Sequence, residues 1–589
     1  MNGDHTIAYF SMEIAVDPRI PTYAGGLGVL AGDTLRAAAD EGVPMVGLTL
    51  LHRKGYLTQR FDPSGWQQAE PTDWEIERYL RDRPERVTVD LEDRTVRLRA
   101  WQYEITGVGG HRVPVFLLDA DLPENAPWDR TLTHYLYGGD PHYRLCQEVI
   151  LGIGGVRMIR ALGCGQVARF HLNEGHSSLL TLELLVEEAR AAGRATISEP
   201  DIEAVKARCI FTTHTPVAAA HDRYPMDLVG RVLRRDHGYF APAGVFGASV
   251  LGRILQREPG TYDPGDIFRP EYALNLTYLA LNLSHYVNGV AKQHAAVSRR
   301  LFPKYRIDEI TNGVHAATWT APPLRALFDR HMPGWEADNF SLRYAENLPL
   351  ADLGEAHAAA KAELLERVRA DTRVALDPAV FTLGFARRFT PYKRADLLLT
   401  DPERLRAIAA GAGGLQVVFA GKAHPDDQGG KEIIRHILRL REALAPAVRV
   451  VYLENYDLTL ARLLTAGSDL WLNTPLPPLE ASGTSGMKAA LNGVPSLSIL
   501  DGWWLEGCIE GVTGWAIGER ERETDPPPEA ERRLRDAALL YDKLERVVAP
   551  CFYRERARYL DVMRHAIALN GSFFNTQRMI QQYVTKAYY

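Results

Sequence analysis

Short apolar runs alternate with stretches of helical spacing along the chain. In the first half, Ile7–Phe10, Pro44–Leu51 and Ile210–Thr213 have the length and composition of buried strands. Apolar residues recur at the spacing of a helix face from Leu27 to Glu41 and from Leu145 to Leu162. Strands that are apolar on both faces and alternate with helices are typical of parallel sheets covered by helices. This half is therefore predicted to form a doubly wound α/β sheet.

The pattern restarts in the second half, after an Ala- and Glu-rich helical stretch at Leu353–Arg369. Further strand-like runs, separated by helical stretches, lie at Phe381–Phe385, Leu415–Ala420, Val448–Leu453, Leu470–Asn473 and Pro495–Leu500. Two such series predict an α/β protein with two Rossmann-like domains. In open sheets of this type, ligands bind beyond the carboxyl ends of the strands. Functional residues are therefore expected in the loops that follow the strands.

The domain boundary is predicted near Ala321-Pro322-Pro323, after the Asn312-Gly313 turn. Residues 1–320 would form the N-terminal domain, residues 321–555 the C-terminal domain, and residues 556–589 a helical tail. The charged, proline-rich segment Glu519–Glu531 is predicted to be a surface loop.

Composition narrows the class of protein. The chain has 589 residues, too many for one core, and its 46% hydrophobic and 24% charged residues are ordinary for a globular protein. The net charge of −6 does not indicate a nucleic-acid or anionic-membrane partner. No apolar run approaches the roughly 18 residues that span a bilayer, and the N-terminal segment does not resemble a signal peptide, so a cytoplasmic location is expected.

The five cysteines form no CxxC pair, which favours reduced thiols over a zinc site or disulfides.

The first candidate segment is Gly25-Gly26-Leu27-Gly28, before a predicted helix. Glycines let a backbone approach a ligand closely, and the amides of a helix N-terminus suit a phosphate. Gly26-x-Gly28-x-x-Ala31 imitates a dinucleotide fingerprint, but no strand ends immediately before it, so the nucleotide interpretation is weak. Taken alone, the segment is better explained as a tight turn that packs a helix on a sheet.

The second candidate segment, Arg387–Arg394 (RRFTPYKR), follows a predicted strand and carries four cations in eight residues. Guanidinium groups bind phosphate bidentately, and an ammonium group adds a point charge. A surface cluster paired with nearby acids explains the segment equally well when it is taken alone.

The third and strongest segment, Glu480–Lys488 (EASGTSGMK), follows the predicted strand Leu470–Asn473. Its small residues expose backbone amides that suit sugar hydroxyls or an oxyanion. Lys488 stands at a helix start in an apolar setting, and a desolvated lysine is a Schiff-base candidate. Without the other motifs, a glycine-rich turn with an exposed lysine would be the better interpretation.

Two polar sets, Asn173–His176 (NEGH) and Thr212–Pro216 (TTHTP), stand where strands of the first half are predicted to end. A lone histidine is more often structural than catalytic, but loop positions at strand ends favour a binding role. Neither set has metal-ligand spacing, so no metal site is predicted.

Together these motifs resemble the α-glucan (glycogen, starch and maltodextrin) phosphorylases, especially their short bacterial and archaeal form. EASGTSGMK matches the pyridoxal-phosphate lysine motif of that family, and RRFTPYKR resembles its phosphate-binding segment. The resemblance covers essentially the whole chain, because other motifs fall in the family order, namely AYFSME, AGGLG, LNEGHSS, TTHTP, TNGV, GKAHP, LENYDLTLA and the tail NGSFFNTQRMIQQYVTKAYY.

The resemblance implies two Rossmann-like domains that face each other across a cleft (the GT-B arrangement), with the last helix returning to the N-terminal domain. It implies phosphorolysis of α-1,4-glucan to α-D-glucose 1-phosphate with retention, in which the phosphate group of pyridoxal 5′-phosphate acts as acid and base. The two phosphates repel each other, so nearby cations are required. Family members are commonly dimers. The short form lacks the N-terminal regulatory elements of the long enzymes, so activity without AMP or phosphorylation is expected.

The resemblance also assigns residues. Lys488 would form the cofactor Schiff base, with Arg387, Tyr456 and Trp319 around the cofactor. Arg388 and Lys393 would hold inorganic phosphate, helped by the amides of Gly25 and Gly26. The groups expected to act in catalysis are Lys488, Arg388, Lys393 and His214. The glucosyl unit would contact Glu480, Ala481, Ser482, Gly483, Asn312 and His214, in a pocket lined by Tyr392 and Leu27.

The chain departs from the long phosphorylases at three places. Asp457 replaces an arginine after Tyr456, Ala15 stands near the position of a tyrosine, and Asp501–Gly507 (DGWWLEG) resembles only the short enzymes. Two other functions remain open. A nucleotide-sugar-dependent glycogen or starch synthase would need a nucleotide pocket and no pyridoxal lysine, and an inactive glucan-binding protein would not need the set of predicted catalytic residues.

Overall fold

A computed structural model describes residues 6–164, 166–217, 221–234, 248–255, 273–519 and 527–589. The chain forms two compact units. Unit 1 consists of Met1–Leu57, Pro71–Ile310 and Ile580–Tyr589, and unit 2 consists of Thr58–Glu70 and Thr311–Met579.

The strands of the described residues, in chain order, are β1 (Thr6–Ser11), β2 (Met45–Leu50), β3 (Thr58–Phe61), β4 (Gln67–Glu70), β5 (Arg81–Leu91), β6 (Arg94–Thr106), β7 (Arg112–Asp119), β8 (Val167–Asn173), β9 (Cys209–Thr212), β10 (Arg223–Pro225), β11 (Ala273–Asn275), β12 (Tyr286–Gly289), β13 (Asp308–Glu309), β14 (Thr382–Ala386), β15 (Leu415–Ala420), β16 (Val448–Leu453), β17 (Leu470–Asn473), β18 (Ser496–Ile499) and β19 (Gly514–Ile517).

The α-helices, in the same order, are α1 (Gly26–Asp40), α2 (Ile76–Tyr79), α3 (Pro141–Val149), α4 (Gly155–Ala161), α5 (Leu180–Ala191), α6 (Glu199–Arg208), α7 (Met226–Val232), α8 (Ala248–Leu255), α9 (Leu276–Asn282), α10 (Lys292–Leu301), α11 (Ala316–Trp319), α12 (Pro322–His331), α13 (Leu350–Thr372), α14 (Pro402–Ala412), α15 (Gln428–Leu444), α16 (Leu458–Gly467), α17 (Ser485–Leu491), α18 (Trp504–Gly507), α19 (Glu529–Lys543), α20 (Ala549–Arg554), α21 (Arg556–His565) and α22 (Thr576–Tyr583). Shorter 3-10 or π-helical segments lie at Asp129–Thr133, Ile150–Gly154, Gly175–Ser177, Asn339–Asn347, Pro391–Lys393, Leu397–Leu399, Leu544–Val548, Ala566–Gly571 and Val584–Tyr588.

Unit 1 contains a mixed sheet with the strand order β13-β12-β9-β8-β1-β2-β7-β6-β5. The neighbours from β13 to β7 run parallel, as the apolar runs predicted. The neighbours β7, β6 and β5 are antiparallel and form an edge that the sequence analysis did not predict. Much of β5 and β6 alternates between more and less exposed residues. In a half-exposed strand polar and apolar residues alternate, so a search for continuous apolar runs does not reveal it.

The last residues, Ile580–Tyr589, belong to unit 1. The hydroxyl of Tyr588 lies 2.7 Å from Nδ1 of His171 in β8, and Nε2 of the same ring lies 2.8 Å from Oγ1 of Thr212 in β9. Burial lowers the pKa of His171 to about 3, so this ring is a neutral part of the core. These bonds fix the carboxyl ends of β8 and β9 beside each other, and with them the polar segments that follow.

Unit 2 contains a parallel sheet with the order β16-β15-β14-β17-β18-β19. The hairpin β3–β4 also belongs to this unit: Gln59 donates its main-chain N–H to Oδ1 of Asn455 at 2.6 Å and its side-chain amide to the carbonyl of Gly421 at 2.9 Å. The hairpin thereby joins the first residues of the loops that follow β15 and β16.

Most predicted elements are confirmed. Strands β14–β18 agree with the predicted runs to within one residue at each end, and the predicted helix Leu353–Arg369 lies inside α13. The predicted loop Glu519–Glu531 lies largely outside the described residues, and its last residues are helical because α19 begins at Glu529. The α/β class with parallel sheets is confirmed, whereas the domain bounds and the cleft arrangement stay predictions. No helix among the described residues has both the length and the apolarity to cross a membrane.

A buried ionic group joins α13 to the sheet of unit 2. Asp469, directly before β17, accepts from Nζ of Lys361 at 2.6 Å and from the main-chain N–H of Thr382 at 2.8 Å, and it lies 3.0 Å from Nε2 of His357. Burial raises the pKa of Asp469, but its bonds to His357 and Lys361 outweigh burial, so the pKa lies below its usual value. This carboxylate therefore joins α13 to the amino end of β14, the end opposite to the one that carries Arg387.

Replacing Lys361 with Met is expected to lower the unfolding free energy of unit 2 by about 3–5 kcal/mol, because the change leaves a buried carboxylate without its ammonium partner. Arg369→Gln, on the same helix, is the control. Arg369 forms an exposed pair with Glu366, so its loss should cost about 1 kcal/mol or less. Urea denaturation followed by tryptophan fluorescence measures both, and equal effects would contradict the structural role of Asp469.

Candidate active site

The carboxyl ends of β14 and β17 place the first two polar residues of the candidate site in unit 2. The two strands are parallel neighbours. Arg387 directly follows β14, and Asn473 is the last residue of β17. Nη1 of Arg387 donates to Oδ1 of Asn473 at 3.1 Å. Strand pairing therefore fixes where this guanidinium lies.

The carboxylate of Glu480 joins two of the predicted cations. Nη2 of Arg387 donates to Oε2 at 2.6 Å, and Nζ of Lys393 lies 2.8 Å from Oε1 and 2.7 Å from Oε2. Each of the three side chains is about nine-tenths buried. Burial raises the pKa of Glu480, but the charges of Arg387 and Lys393 outweigh burial, so its pKa lies below the usual value. Glu480 is thus an ionised counter-ion of both cations.

The arginines of the segment Arg387–Arg394 differ in burial and in the contacts they make. Arg394 is buried and donates to Asp536 at 2.8 Å and to the carbonyls of Thr474 and Pro475. It therefore anchors the segment. Arg388, in contrast, is exposed. The cations that face a ligand are consequently fewer than the sequence motif contains.

Lys488 is buried in the middle of α17 instead of at its start as predicted, because the helix already begins at Ser485. Its Nζ is 3.8 Å from the ring centre of Trp319, within the range of a cation–π interaction. Asn492, one turn further on, donates to the carbonyls of Trp319 at 2.8 Å and Lys488 at 2.9 Å, and accepts from the N–H of Ala321 at 2.8 Å. The lysine and the tryptophan are therefore held together by both side-chain and backbone contacts.

Three buried polar atoms of predicted site residues have no hydrogen-bond partner among the described residues. They are Nε of Arg387, Oγ of Ser482 and Oδ1 of Asn312. A buried polar group without a partner costs about 1–3 kcal/mol, so such atoms are usually completed by a ligand or an ordered water. These atoms are available to polar groups of a ligand.

Asp457, where the chain departs from the long phosphorylases, caps a helix. Its Oδ1 accepts from the N–H of Leu460 at 2.8 Å, at the start of α16. Burial raises the pKa of the preceding Tyr456, with the charge of Arg387 acting in the opposite direction. The hydroxyl of Tyr456 therefore remains protonated, beside Arg387.

Asp501 is a residue that sequence analysis did not assign to the site. It is buried and follows β18 in the parallel sheet. Its Oδ2 accepts from the main-chain N–H of Glu480 and its Oδ1 from that of Gly502, both at 2.9 Å. Burial, aided by the charge of Glu480, raises its pKa to about 7, although both backbone bonds lower it. Asp501 stands directly after a strand-like run, within DGWWLEG, and this position could have marked it as a site residue in the sequence.

In unit 1, the backbone of the glycine turn donates hydrogen bonds to the carboxylate of Glu13, a second residue that sequence analysis did not assign to the site. Oε2 of Glu13 accepts from the N–H groups of Ala24 at 2.6 Å and Gly25 at 3.1 Å, and Oε1 accepts from the hydroxyl of Tyr137 at 2.9 Å. A Cβ on Gly28 would lie 2.6 Å from Oε2 of Glu13 and 2.8 Å from Cβ of Tyr23, so this close approach requires glycine. Gly26 and Leu27 then begin α1.

His214 lies after β9, beside the segment that follows β8. Its Nε2 donates to Oδ1 of Asn173 at 2.6 Å, and its main-chain N–H donates to Oε2 of Glu174 at 2.7 Å. The side-chain amide of Asn173 donates to Oγ of Ser11, which orients its oxygen toward the histidine. Burial, with contributions from the nearby histidines, lowers the pKa of His214 to about 3. His214 is therefore a neutral hydrogen-bonding group.

The structure thus places the predicted residues in two separate sets. Unit 2 contains the contacts among Arg387, Glu480 and Lys393, whose Nζ lies 4.4 Å from the ring centre of Tyr392. The same unit contains Lys488 with Trp319, and also Arg388, Tyr456, Asn312, Ala481, Ser482 and Gly483. Unit 1 contains Gly25, Gly26, Leu27 and His214.

Comparison with known proteins identifies relatives along almost the whole chain. The model of the carbohydrate phosphorylase family matches residues 163–511. The maltodextrin phosphorylase of Thermococcus litoralis and the glycogen phosphorylase of Mycobacterium tuberculosis are each 37% identical to this chain, over 99% of it and 70% of their own length. The glycogen phosphorylase of Aquifex aeolicus is 34% identical, over 99% of this chain and 86% of its own.

His214 is expected to remain neutral from about pH 5 upward, because burial lowers its pKa to about 3. NMR spectra of histidine-labelled protein recorded against pH provide the measurement, with His214→Gln identifying the signal. A midpoint near the ordinary value of about 6.5 would show that the ring is accessible to solvent and charged at acidic pH.

Proposed function

This chain belongs to the carbohydrate phosphorylase family, and we propose that it is a glycosyltransferase that cleaves α-1,4-glucan with inorganic phosphate. The reaction removes the glucosyl unit at the non-reducing end as α-D-glucose 1-phosphate, with retention, and leaves a shorter glucan. The proposed substrate class, glycogen or maltodextrin, corresponds to the names of the similar phosphorylases.

The observation that carries the proposal is the pair of buried cations at the carboxyl edge of the parallel sheet in unit 2. Arg387 and Lys393 share one carboxylate, that of Glu480, so the group of three has a net positive charge. Arg388 adds an exposed guanidinium next to it in the chain. Guanidinium and ammonium groups in partly desolvated surroundings bind phosphate strongly.

Arg388 and Lys393 are proposed to hold inorganic phosphate. The glycine turn of unit 1 is proposed to add backbone donors, chiefly from the start of α1 at Gly26, because the N–H of Gly25 already donates to Glu13. Concentrated positive charge lowers the free energy of bringing two phosphate groups together, which the reaction requires.

Pyridoxal 5′-phosphate fits the residues of unit 2. Lys488 is a buried lysine beside the face of Trp319, and Nε of Arg387 is a buried donor without a partner among the described residues. We propose that Lys488 holds this cofactor, with Trp319, Arg387 and Tyr456 around it. When bound, its phosphate group supplies a proton donor and acceptor at the reaction centre. The residues of the chain orient it and keep water away.

The glucosyl unit is proposed to bind through polar groups that have no partner among the described residues or that stay neutral. Oγ of Ser482 and Oδ1 of Asn312 have no partner among the described residues, and His214 is a neutral ring. Sugar hydroxyls both donate and accept, so acceptors and a neutral ring suit them. The remaining proposed contacts are Glu480, Ala481, Gly483, Tyr392 and Leu27.

The proposed reaction is tested by incubating the protein with maltooligosaccharides of increasing length, with and without inorganic phosphate. Glucose 1-phosphate should form only with phosphate. Arg388→Leu should reduce this rate by roughly tenfold to a hundredfold, because each charge-assisted hydrogen bond contributes about 1.5–3 kcal/mol. Arg439→Leu, on an exposed face of α15, is the matched control and should leave the rate unchanged. Release of free glucose, or elongation from a nucleotide sugar, would refute the proposal.

Lys488 is expected to carry the cofactor. Borohydride reduction of protein supplied with pyridoxal 5′-phosphate, followed by peptide mapping, should add the cofactor mass to the peptide containing Lys488, and Lys488→Arg should abolish the label. Lys422 is the alternative target, since burial lowers its pKa to about 8 even though Asp457 raises it. A label on Lys422 instead of Lys488 would overturn the assignment.

A further inference from the structure

The segment that follows β18 supports the loop that contains Glu480. The N–H of Trp503 donates to the carbonyl of Ser482 at 2.9 Å. The N–H of Glu480 donates in the opposite direction, to Oδ2 of Asp501, also at 2.9 Å. The two segments are therefore joined by reciprocal bonds on either side of Ala481.

The approach of these two segments is too close for a side chain at Gly502. Its φ is +54°, and a Cβ would lie 2.5 Å from the carbonyl oxygen of Ser482 and 3.0 Å from that of Glu480. The next residue, Trp503, is buried with its ring centre 5.0 Å from that of Phe574. Asp501 thus projects from a segment that packing holds in one position.

The carboxyl of Asp501 faces charges of both signs. Glu480 raises its pKa and Lys393 lowers it, while burial is the largest influence. Each carboxyl oxygen accepts one main-chain N–H. A carboxylate accepts such bonds more strongly than a neutral acid does, so the ionised form holds the backbone of Glu480 more firmly.

We propose that Asp501 is a positioning residue for the sugar-binding loop: its buried carboxyl holds the main chain of Glu480 so that the Glu480 carboxylate reaches both Arg387 and Lys393. In this role Asp501 acts through the backbone of Glu480 and not on the substrate itself. The link to sugar binding rests on the proposed function, whereas the link to the backbone of Glu480 does not.

The loop is held less firmly as Asp501 takes up a proton. Because its pKa is about 7, the carboxyl loses its charge as the pH falls through neutrality. The bond from the N–H of Glu480 then weakens, and the carboxylate that joins Arg387 to Lys393 loses part of its support. Binding of the glucosyl unit is therefore expected to weaken on the acidic side of about pH 7.

Hydrogen exchange tests the backbone link without reference to activity. Asp501→Asn keeps the side-chain volume but turns an amide N–H₂ toward one of the two main-chain N–H groups, which cannot accept it. Measured by mass spectrometry at one pH above neutrality, the amide of Glu480 should exchange at least tenfold faster in this variant. Peptides from β14 and β15 should be unchanged. An unchanged rate at Glu480 would overturn the proposal.

The matched control is Asp469→Asn, which removes another buried carboxylate of unit 2 that accepts a main-chain N–H. It should lower the thermal midpoint without changing exchange at Glu480 or the KM for glucan. Faster exchange at Glu480 in this control would mean that general loosening of unit 2 explains the effect, which would also overturn the positioning role.

Kinetics at saturating phosphate test the link to sugar binding. In the unsubstituted protein, the KM for a maltooligosaccharide should rise as the pH falls through about 7. In Asp501→Asn it should be at least tenfold higher at pH 8 and should not vary over this range. The same pH trend in both proteins would overturn the proposal. If the unsubstituted protein shows no phosphorolysis, the proposed function fails, and hydrogen exchange still decides the role of Asp501.

Discussion

The candidate site depends on the ionic contact of Glu480 with Arg387 and Lys393. Removing charges from water is costly, and the cost is offset only when the partners are close and their remaining polar atoms are satisfied. Here one carboxylate bonds two cations at 2.6–2.8 Å. Asn473 and Asp501 supply further bonds, to the guanidinium and to the backbone of Glu480. Parallel pairing of β14, β17 and β18 brings these residues to one edge of the sheet.

This arrangement explains how one site can hold concentrated positive charge and remain stable before a ligand binds. Without Glu480, two buried cations would face each other, and unit 2 would be destabilised. With it, the cations are fixed in geometry while the net charge stays positive. A phosphate then meets positions that are already ordered, so less conformational entropy is lost on binding. The main chain of Glu480 is held by the carboxyl of Asp501, whose pKa burial raises to about 7.

The two motifs of unit 2 show that neighbouring residues of one segment serve different purposes. In RRFTPYKR, Arg394 is buried against Asp536 and anchors the segment, whereas Lys393 reaches Glu480. In EASGTSGMK, Glu480 is part of the ionic contact, and Lys488 packs on Trp319. Charge density in a motif therefore overstates the number of groups that face a ligand. Burial of each side chain decides which ones do.

The sequence by itself determined the apolar strands β1, β2, β9 and β14–β18, the segments at their carboxyl ends, and Lys488 within its motif. These features are local: a fully buried strand is a continuous apolar run, and a loop after it is recognised from the same stretch of chain. Tertiary structure decided the antiparallel edge β5–β7, the place of β3–β4 in unit 2, and the roles of Glu13 and Asp501. It also decided that His214 is neutral. Each of these depends on contacts between residues that are distant in sequence. Local periodicity cannot reveal such contacts, because the burial and charge of a residue are set by the segments that meet in the folded chain.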